Sequence, residues 1–186
     1  MPPDNPPYCP SCPLFNKWNK VWGEGASDAT IAFVGRNPGA TENKLRRPFV
    51  GPAGKRLERV LDELGLSRAS VWITNLVKCH TAHDAEPSKQ TVACCGPCLY
   101  DEIHNHTLVV TLGKTASDAI TAHYSGKAQV YHMIHPSAAL RRGIYEAQLR
   151  VQTQELKGIL QCPAGSGKMS KMSLFKDASF PTTCSP

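Results

Sequence analysis

Short apolar stretches that alternate with amphipathic ones constrain the fold of this 186-residue chain more than any other feature. Four stretches are apolar and end in glycine or polar turns, which predicts buried strands. These are 29–35, 71–77, 107–113 and 129–137, the last running into a loop. Helical patterns follow the first, third and fourth strands, over 51–64, 114–124 and 143–161. The alternation predicts an α/β fold with a central, mostly parallel four-stranded sheet flanked by helices.

The residues that follow the predicted strands mark a candidate site. Parallel strands bring their carboxyl ends to one edge of the sheet, where α/β proteins bind ligands. The segments at that edge are 35–39, 75–79, Gly113 and 135–137. They contain glycines, amides, a histidine and a cysteine, so we expect a functional pocket there.

Length and charge limit the class of protein. One domain over 1–161 is expected, followed by a flexible tail over 162–186 that lacks apolar periodicity. The apolar stretches are too short to span a bilayer, and the first residues lack the pattern of a secretory signal, which predicts a cytoplasmic protein. A formal charge of +6 and a pI of about 8.9 suit a polyanionic partner.

Eight cysteines indicate metal binding more than disulfides, because disulfides are typical of secreted domains. Cys9 and Cys12 form one CxxC pair, and Cys95 and Cys98 form another, which together suit zinc. The alternative set of Cys9, Cys12, Cys79 and Cys95 suits an iron–sulfur cluster as well as zinc. The spacing leaves both metals open.

Six stretches carry a resemblance to a known family. They are "CPSCPLF", "GRNPGATENKLRRPFVGPAGKRLERVL", "VWITNLVKC", "ACCGPCL", "TLGKTA" and "HPSAALRR". In this order and spacing, over about residues 8–160, the chain resembles the uracil-DNA glycosylase superfamily, most closely its iron–sulfur branch, family 4. The resemblance implies that superfamily's three-layer sandwich, a DNA partner and a monomer.

The resemblance also implies a cofactor and three pocket residues. Four cysteines correspond to the ligands of a structural [4Fe–4S] cluster: Cys9, Cys12, Cys79 and Cys95. Phe49 corresponds to the aromatic residue on which the extruded base stacks. Asn75 corresponds to the amide that reads the pyrimidine edge, and His135 to the residue that faces the pyrimidine O2.

The first motif departs from the family 4 pattern. That branch reads Gly-Glu-Ala-Pro-Gly, whereas this chain has Arg36 and Asn37 between Gly35 and Pro38. A Gly-x-Asn-Pro-Gly motif is similar to the mismatch-specific and single-strand-selective branches, which implies that Asn37 orients the attacking water. Arg36 replaces a carboxylate with a cation, and we expect it to contact a phosphate or a substituent on the base.

The glycines of this motif allow close approach of the backbone to a flipped nucleotide. Gly39 stands where the strictly uracil-specific branch has a tyrosine that excludes a 5-methyl group. We therefore expect open space beside Gly39 and tolerance of pyrimidines substituted at carbon 5.

Basic residues in two segments predict contacts with DNA phosphates. The first segment contains Lys44, Arg46, Arg47, Lys55, Arg56 and Arg59. In the second, the closing motif, Ser137, Arg141 and Arg142 surround Leu140, which we expect to enter the minor groove as a wedge.

These expectations give one function and two alternatives. The function is a monofunctional glycosylase that flips out uracil or a 5-substituted pyrimidine and hydrolyses its N-glycosidic bond, since no lysine stands out as a Schiff-base nucleophile. One alternative removes bulky modified pyrimidines from foreign DNA as a defence. The other is a lesion-binding module that does not cleave, because the usual Glu is missing.

Overall fold

One five-stranded sheet organises the structure, a computed structural model that describes residues 9–161. The strands are β1 (Glu24–Gly25), β2 (Ile31–Gly35), β3 (Trp72–Asn75), β4 (Leu108–Leu112) and β5 (Gln129–Met133). Their order is β1-β3-β2-β4-β5; β1 is antiparallel to β3, and the other pairs are parallel. The predicted α/β fold is confirmed. The predicted count of four strands is one too few, because two-residue β1 is too short for a periodic signal.

The described residues also form six α-helices. The tail predicted over 162–186 lies outside the described residues. The helices are α1 (Ala40–Leu45), α2 (Pro52–Leu64), α3 (Lys89–Ile103), α4 (Lys114–His123), α5 (Pro136–Ala139) and α6 (Gly143–Gln161). The three predicted helices correspond to α2, α4 and α6. Helix α2 ends as expected at Gly65, whose φ of 73° is in the left-handed region that glycine adopts at little cost.

Helix α3 was not predicted from the sequence. Pro97 lies inside it, and Gly96 precedes that proline, so both residues weaken a helical pattern. Ser88 caps its first turn, because the Ser88 hydroxyl accepts a hydrogen bond from the backbone N–H of Thr91 at 3.1 Å. Its buried face includes Cys95, with further members at the i+3, i+4 and i+8 positions, which is the periodicity that could have revealed it.

Two apolar cores make the molecule a three-layer sandwich. Ile31 and Phe33 of β2 pack on the side that holds α2 and α6. Ala32 and Val34 pack on the opposite side, with α3 and α4. Successive side chains of a strand point to opposite faces, so a central strand covered by helices on both sides is apolar throughout.

The carboxyl ends of the four parallel strands meet at one edge, as predicted. Gly35 at the end of β2 is paired with Asn75 at the end of β3. Gly113, which follows β4, has a φ of 88°, and its N–H donates to the carbonyl of Met133 at the end of β5. Between residues 9 and 161, no helix combines the length and apolarity needed to cross a membrane.

Candidate functional site

Three of the predicted pocket residues lie close to Gly35. A Cβ atom added there would lie 2.5 Å from Asn75 Oδ1 and 2.5 Å from the Cζ atom of Phe49. Only glycine therefore lets the amide and the aromatic ring both approach the end of β2. The rings of Phe49 and His135 are stacked with their centroids 5.9 Å apart, which brings the histidine into the same group.

Phe49 has an unusual backbone conformation for a bulky residue. Its φ is 52°, in the left-handed region, although its side chain is almost fully buried. Arg68 holds this turn: its guanidinium donates to the carbonyl of Phe49 at 2.9 Å and to that of Pro48 at 2.7 Å. Strain of this kind persists only where surrounding contacts impose it, so the ring direction of Phe49 is fixed from outside the pocket.

Glu42 holds the other side of the same turn. Its buried carboxylate accepts hydrogen bonds from the backbone N–H groups of Val50 at 3.0 Å and Gly51 at 2.7 Å. The second carboxylate oxygen faces Gly39, because a Cβ atom added at Gly39 would lie 2.6 Å from it. The expectation of open space beside Gly39 is therefore wrong: the carboxylate of Glu42 occupies that direction.

His135 is held as a neutral hydrogen-bond donor. The backbone N–H of Ser137 donates to His135 Nδ1 at 3.1 Å, so the ring proton belongs on Nε2. The Ser137 hydroxyl lies 2.8 Å from the same Nδ1. Burial, helped by the nearby cations Arg36 and Arg141, lowers the pKa of His135 to about 4. At neutral pH the ring is uncharged.

Asn37 is held by its own set of contacts. Its Nδ2 donates to Thr81 Oγ1 at 3.1 Å and to the carbonyl of Pro38 at 3.2 Å. Its Oδ1 accepts from Arg36 Nε at 2.6 Å. Both amide hydrogens are thus used, and one lone pair of Oδ1 stays free. No side-chain hydrogen bond within residues 9–161 joins Asn37 to the group around Gly35.

The cysteines meet at a second place, which we call the cysteine cavity. Its lining contains Cys9, Cys12, Cys79, Cys95 and Cys98, together with Phe15, Lys20, Trp22 and Lys78. The structure thus places the four predicted ligands along one cavity. Cys98, which the set of four predicted cluster ligands leaves out, lines it as well, because it follows Cys95 by one helical turn of α3.

The thiols of this cavity are free, and all but the partly exposed Cys9 are buried. Burial, reinforced by the neighbouring Cys95, raises the pKa of Cys79 to about 12. Burial also raises the pKa of Cys95 to about 11. Protonated thiols are the stable form in such surroundings until a cation replaces their protons.

Hydrogen bonds connect the amino-terminal segment to the other segments that line the cavity. Lys20 and Cys79 form an isolated antiparallel bridge, and the N–H of Val21 donates to the carbonyl of Lys78 at 2.8 Å. Gln90 at the start of α3 donates to the carbonyl of Ser11 at 3.0 Å. Three segments far apart in the sequence therefore meet at the cysteines.

A search of protein families gives a match to the model described as "Uracil DNA glycosylase superfamily" over residues 22–157, well over half of the chain. The chain belongs to the uracil-DNA glycosylase superfamily. Curated proteins named type-4 uracil-DNA glycosylase are similar to it. The one from Thermotoga maritima is 44% identical over 58% of this chain, and the one from Saccharolobus solfataricus is 35% identical over 71%. The one from Archaeoglobus fulgidus is 33% identical over 76%.

These alignments support the type-4 branch of the uracil-DNA glycosylase superfamily. They span 58% of the Thermotoga protein, 72% of the Saccharolobus protein and 81% of the Archaeoglobus protein. Hydrolysis of N-glycosyl bonds is the activity by which the superfamily is named.

The basic residues that this superfamily member was expected to turn toward DNA differ in their surroundings. Arg56 is buried and donates to Glu146 Oε2 at 3.0 Å, so the expectation that it contacts phosphate is wrong. Arg47 is paired with Glu24 at 2.6 Å, and Arg46 donates to Asn19 at 3.0 Å, but both remain exposed. The other predicted cations are exposed: Lys44, Lys55, Arg59, Arg141 and Arg142.

The expected wedge lies in an exposed segment that contains both aliphatic and basic side chains. Leu140 is 54% exposed, and Ile144, at the start of α6, is 73% exposed. Two exposed aliphatic side chains beside Arg141 suit a surface that meets DNA. Ile144 was not singled out from the sequence.

The pocket residues of this glycosylase-family chain depend on partners that the sequence did not reveal. Glu42 and Arg68 shape the Phe49 turn, and Lys78 supports Asn75. Lys78 is 2% exposed and donates to the Asn75 carbonyl at 2.7 Å and to Glu102 Oε2 at 2.8 Å. A charged residue in an otherwise apolar segment, "NLVKC", was the only available signal.

Proposed function

We propose that this chain is a monofunctional DNA glycosylase that flips out uracil, hydrolyses its N-glycosidic bond and leaves an abasic site. The observation that carries the proposal is the convergence of Phe49, Asn75 and His135 around Gly35. An aromatic face, an amide and a neutral imidazole donor are the three groups that a flipped pyrimidine requires.

Cleavage of the bond between base and sugar leaves negative charge on the departing base. We propose that Phe49 holds the plane of the base and that Asn75 offers a donor and an acceptor to its edge. His135 Nε2–H would donate to the pyrimidine O2, where the negative charge develops. A neutral donor already in place stabilises that charge without a proton transfer, which fits a pKa far below neutral.

Water must reach the sugar carbon as the base departs. Asn37 has one free lone pair on Oδ1 and no free hydrogen, so its side chain can only accept. We propose that it accepts a hydrogen bond from the attacking water and so points the water's oxygen toward the sugar. An amide is too weak a base to take the proton, so its contribution is orientation.

We propose a [4Fe–4S] cluster in the cysteine cavity, held by Cys9, Cys12, Cys79 and Cys95. The donor set fits, because four thiols from distant segments line one largely apolar cavity. Within residues 9–161 no three His, Cys, Asp or Glu side chains are grouped closely enough to hold one metal ion. The resemblance to family 4, and not the placement of the thiols, favours the cluster over a single Zn²⁺. When bound, the cluster would supply cross-links between chain segments, and no catalytic step depends on it.

The DNA is proposed to lie across the exposed cations and Leu140. Arg46, Arg47 and Lys55 would contact phosphates on one side and Arg141 and Arg142 on the other. A monomer in the cytoplasm, with the domain over 1–161, completes the proposal. The removal of bulky modified bases is not favoured, because the Glu42 carboxylate lies where a side chain at Gly39 would begin.

A single-turnover assay tests the proposal. Labelled duplexes carry uracil, 5-hydroxymethyluracil or thymine opposite guanine, and alkali reveals abasic sites. We expect cleavage of uracil by the wild type, and a loss of about 10²–10³-fold in rate for Asn75→Ala and for His135→Ala, with DNA binding kept. Asn105→Ala is the matched control, because Asn105 is an exposed amide before β4, at the opposite edge of the sheet.

Two outcomes would overturn the proposal. DNA binding without cleavage of any pyrimidine by the wild type would support a lesion-binding module. Full activity in both pocket variants would show that the base lodges elsewhere.

A further inference from the structure

We propose that Arg36 is a positioning residue that fixes the amide of Asn37, and that Glu86 and Thr115 anchor Arg36 for this purpose. The inference rests on the proposed function, in which Asn37 orients the water. It assigns Arg36 to Asn37 instead of to a phosphate or a base substituent.

The contacts of Arg36 involve all three guanidinium nitrogens. Nε donates to Asn37 Oδ1 at 2.6 Å, Nη1 to Glu86 Oε2 at 2.7 Å, and Nη2 to the carbonyl of Asp84 at 2.7 Å. A guanidinium is planar, so three acceptors on different sides leave it one orientation. Two further N–H groups remain, but their direction is set by protein and not by DNA.

Glu86 is held in turn by the first turn of α4. Its second carboxylate oxygen accepts a hydrogen bond from the Thr115 hydroxyl. Thr115 follows Gly113 and β4 directly, so the chain from Arg36 through Glu86 ends on the sheet edge that carries the pocket. An exposed ion pair contributes little to stability. We therefore expect the pair of Arg36 and Glu86 to matter for the orientation of Arg36 and not for the stability of the fold.

The orientation of the Asn37 amide follows from Thr81. The Thr81 hydroxyl donates its single hydrogen to the carbonyl of Ala85 at 2.7 Å, so it can only accept from Asn37. Nδ2 must therefore face Thr81, and Oδ1 must face Arg36. Thr81 therefore decides which end of the amide faces Arg36. Arg36 then fixes the angle of Oδ1 and leaves it one free lone pair.

This arrangement explains how an arginine can stand where family 4 has a glutamate. A carboxylate orients water by itself, whereas an amide can rotate and present a donor. The contacts with Thr81 and Arg36 together remove that freedom. The catalytic geometry then depends on two residues, Arg36 and Asn37, that act as one unit.

A mutant cycle on the full-length protein tests the inference. We expect Arg36→Ala to lower the single-turnover rate about 10–100-fold, as a slightly misplaced catalytic group does, with the dissociation constant for uracil DNA nearly unchanged. In an Asn37→Ala background, Arg36→Ala should have no further effect, because residues that act as a unit are not additive. Arg36→Lys should fail to restore the rate, since an ammonium cannot reproduce the planar fork. Glu86→Ala should show a smaller loss of the same kind.

A phosphate contact predicts the opposite results. Arg36→Ala would then weaken binding, its effect would add to that of Asn37→Ala, Arg36→Lys would rescue, and the salt dependence of binding would fall by about one charge. Asp118→Ala is the matched control for Glu86→Ala. Asp118 forms an exposed ion pair with Lys114 within α4 and has no hydrogen bond to Arg36 or Asn37.

A structural readout keeps the inference testable if the chain cleaves nothing. The side-chain amide signals of Asn37 in a ¹H–¹⁵N spectrum of the wild type should shift and broaden in Arg36→Ala and Glu86→Ala, but not in Asp118→Ala. Unchanged Asn37 signals in Arg36→Ala would overturn the positioning role. Absence of cleavage with altered signals would instead overturn only the proposed function.

Discussion

The base pocket around Gly35 and the cysteine cavity are both supplied by the segment 75–79, yet they satisfy their polar groups in different ways. In the pocket, the His135 ring has a protein hydrogen-bond partner, and the backbone of Asn75 is held by strand pairing and by Lys78. In the cysteine cavity the thiols are free, and burial raises the pKa of Cys79 to about 12. The protein's own contacts therefore hold the pocket, whereas the thiolates of the proposed cluster site would need a bound cation to stay together.

The largest expected effect comes from removal of a cysteine ligand. Cys79→Ser should abolish the visible colour of an iron–sulfur protein and lower the free energy of unfolding by at least about 5 kcal/mol, because binding energy at such a site is folding energy. Thermal unfolding, with iron, sulfide and zinc content, measures this. Cys94→Ser is the control, since Cys94 is not among the four proposed ligands and is only partly buried.

A colourless wild type that contains one zinc would contradict the iron–sulfur cluster. The contrast between pocket and cavity would still hold, because the thiols would again depend on a bound metal. A metal-free wild type that melts like Cys79→Ser would break the comparison. The cavity would then be as self-sufficient as the pocket.

A smaller effect is expected at Lys78, which joins the two regions. Lys78→Met leaves the Glu102 carboxylate buried without its cation, which costs about 3–5 kcal/mol of unfolding free energy. Because the Asn75 carbonyl also loses its donor, the single-turnover rate should fall as well. Chemical denaturation and the cleavage assay measure the two losses.

Lys114→Met is the matched control, because Lys114 pairs with Asp118 at the same distance scale but in solvent. A loss of less than about 0.5 kcal/mol is expected there. Equal losses at Lys78 and Lys114 would contradict a buried link between pocket and cavity.

The smallest effect is expected from pH. With a pKa of about 4 in the folded chain, His135 stays neutral across the neutral range, so the cleavage rate should change less than about two-fold between pH 5.5 and 8. Since this pKa lies below the unfolded value of about 6.5, the unfolded chain binds the extra proton first, and stability falls as pH drops from about 6.5 to 4.

The rate profile and a comparison with His135→Gln measure this dependence. His135→Gln should lose the part of the acid destabilisation that comes from the ring. An acid limb centred near pH 6.5 in the wild-type rate would show that His135 is solvated, and that the pocket is not organised in advance.

The sequence revealed the elements in which an apolar pattern extends over enough residues to be recognised, and it missed the shorter or interrupted ones. Strands β2 to β5 and helices α2, α4 and α6 were located, because burial on the sheet imposes a pattern that can be read locally. Strand β1 is too short, and α3 carries a proline and a glycine inside its pattern. The predicted availability of Arg56 failed because its partner Glu146 lies 90 positions away.

The sequence by itself determined the α/β sandwich, the edge at which the site lies and the residue types that could recognise a base, because strand ends and glycine turns are local properties. Only the tertiary structure decided which groups meet: Glu42 beside Gly39, Arg68 on the Phe49 turn, and Arg36 on Asn37. Such contacts depend on the direction of side chains from segments distant in sequence. That direction is set only in the packed chain, because each contact is weak by itself and depends on the residues around it.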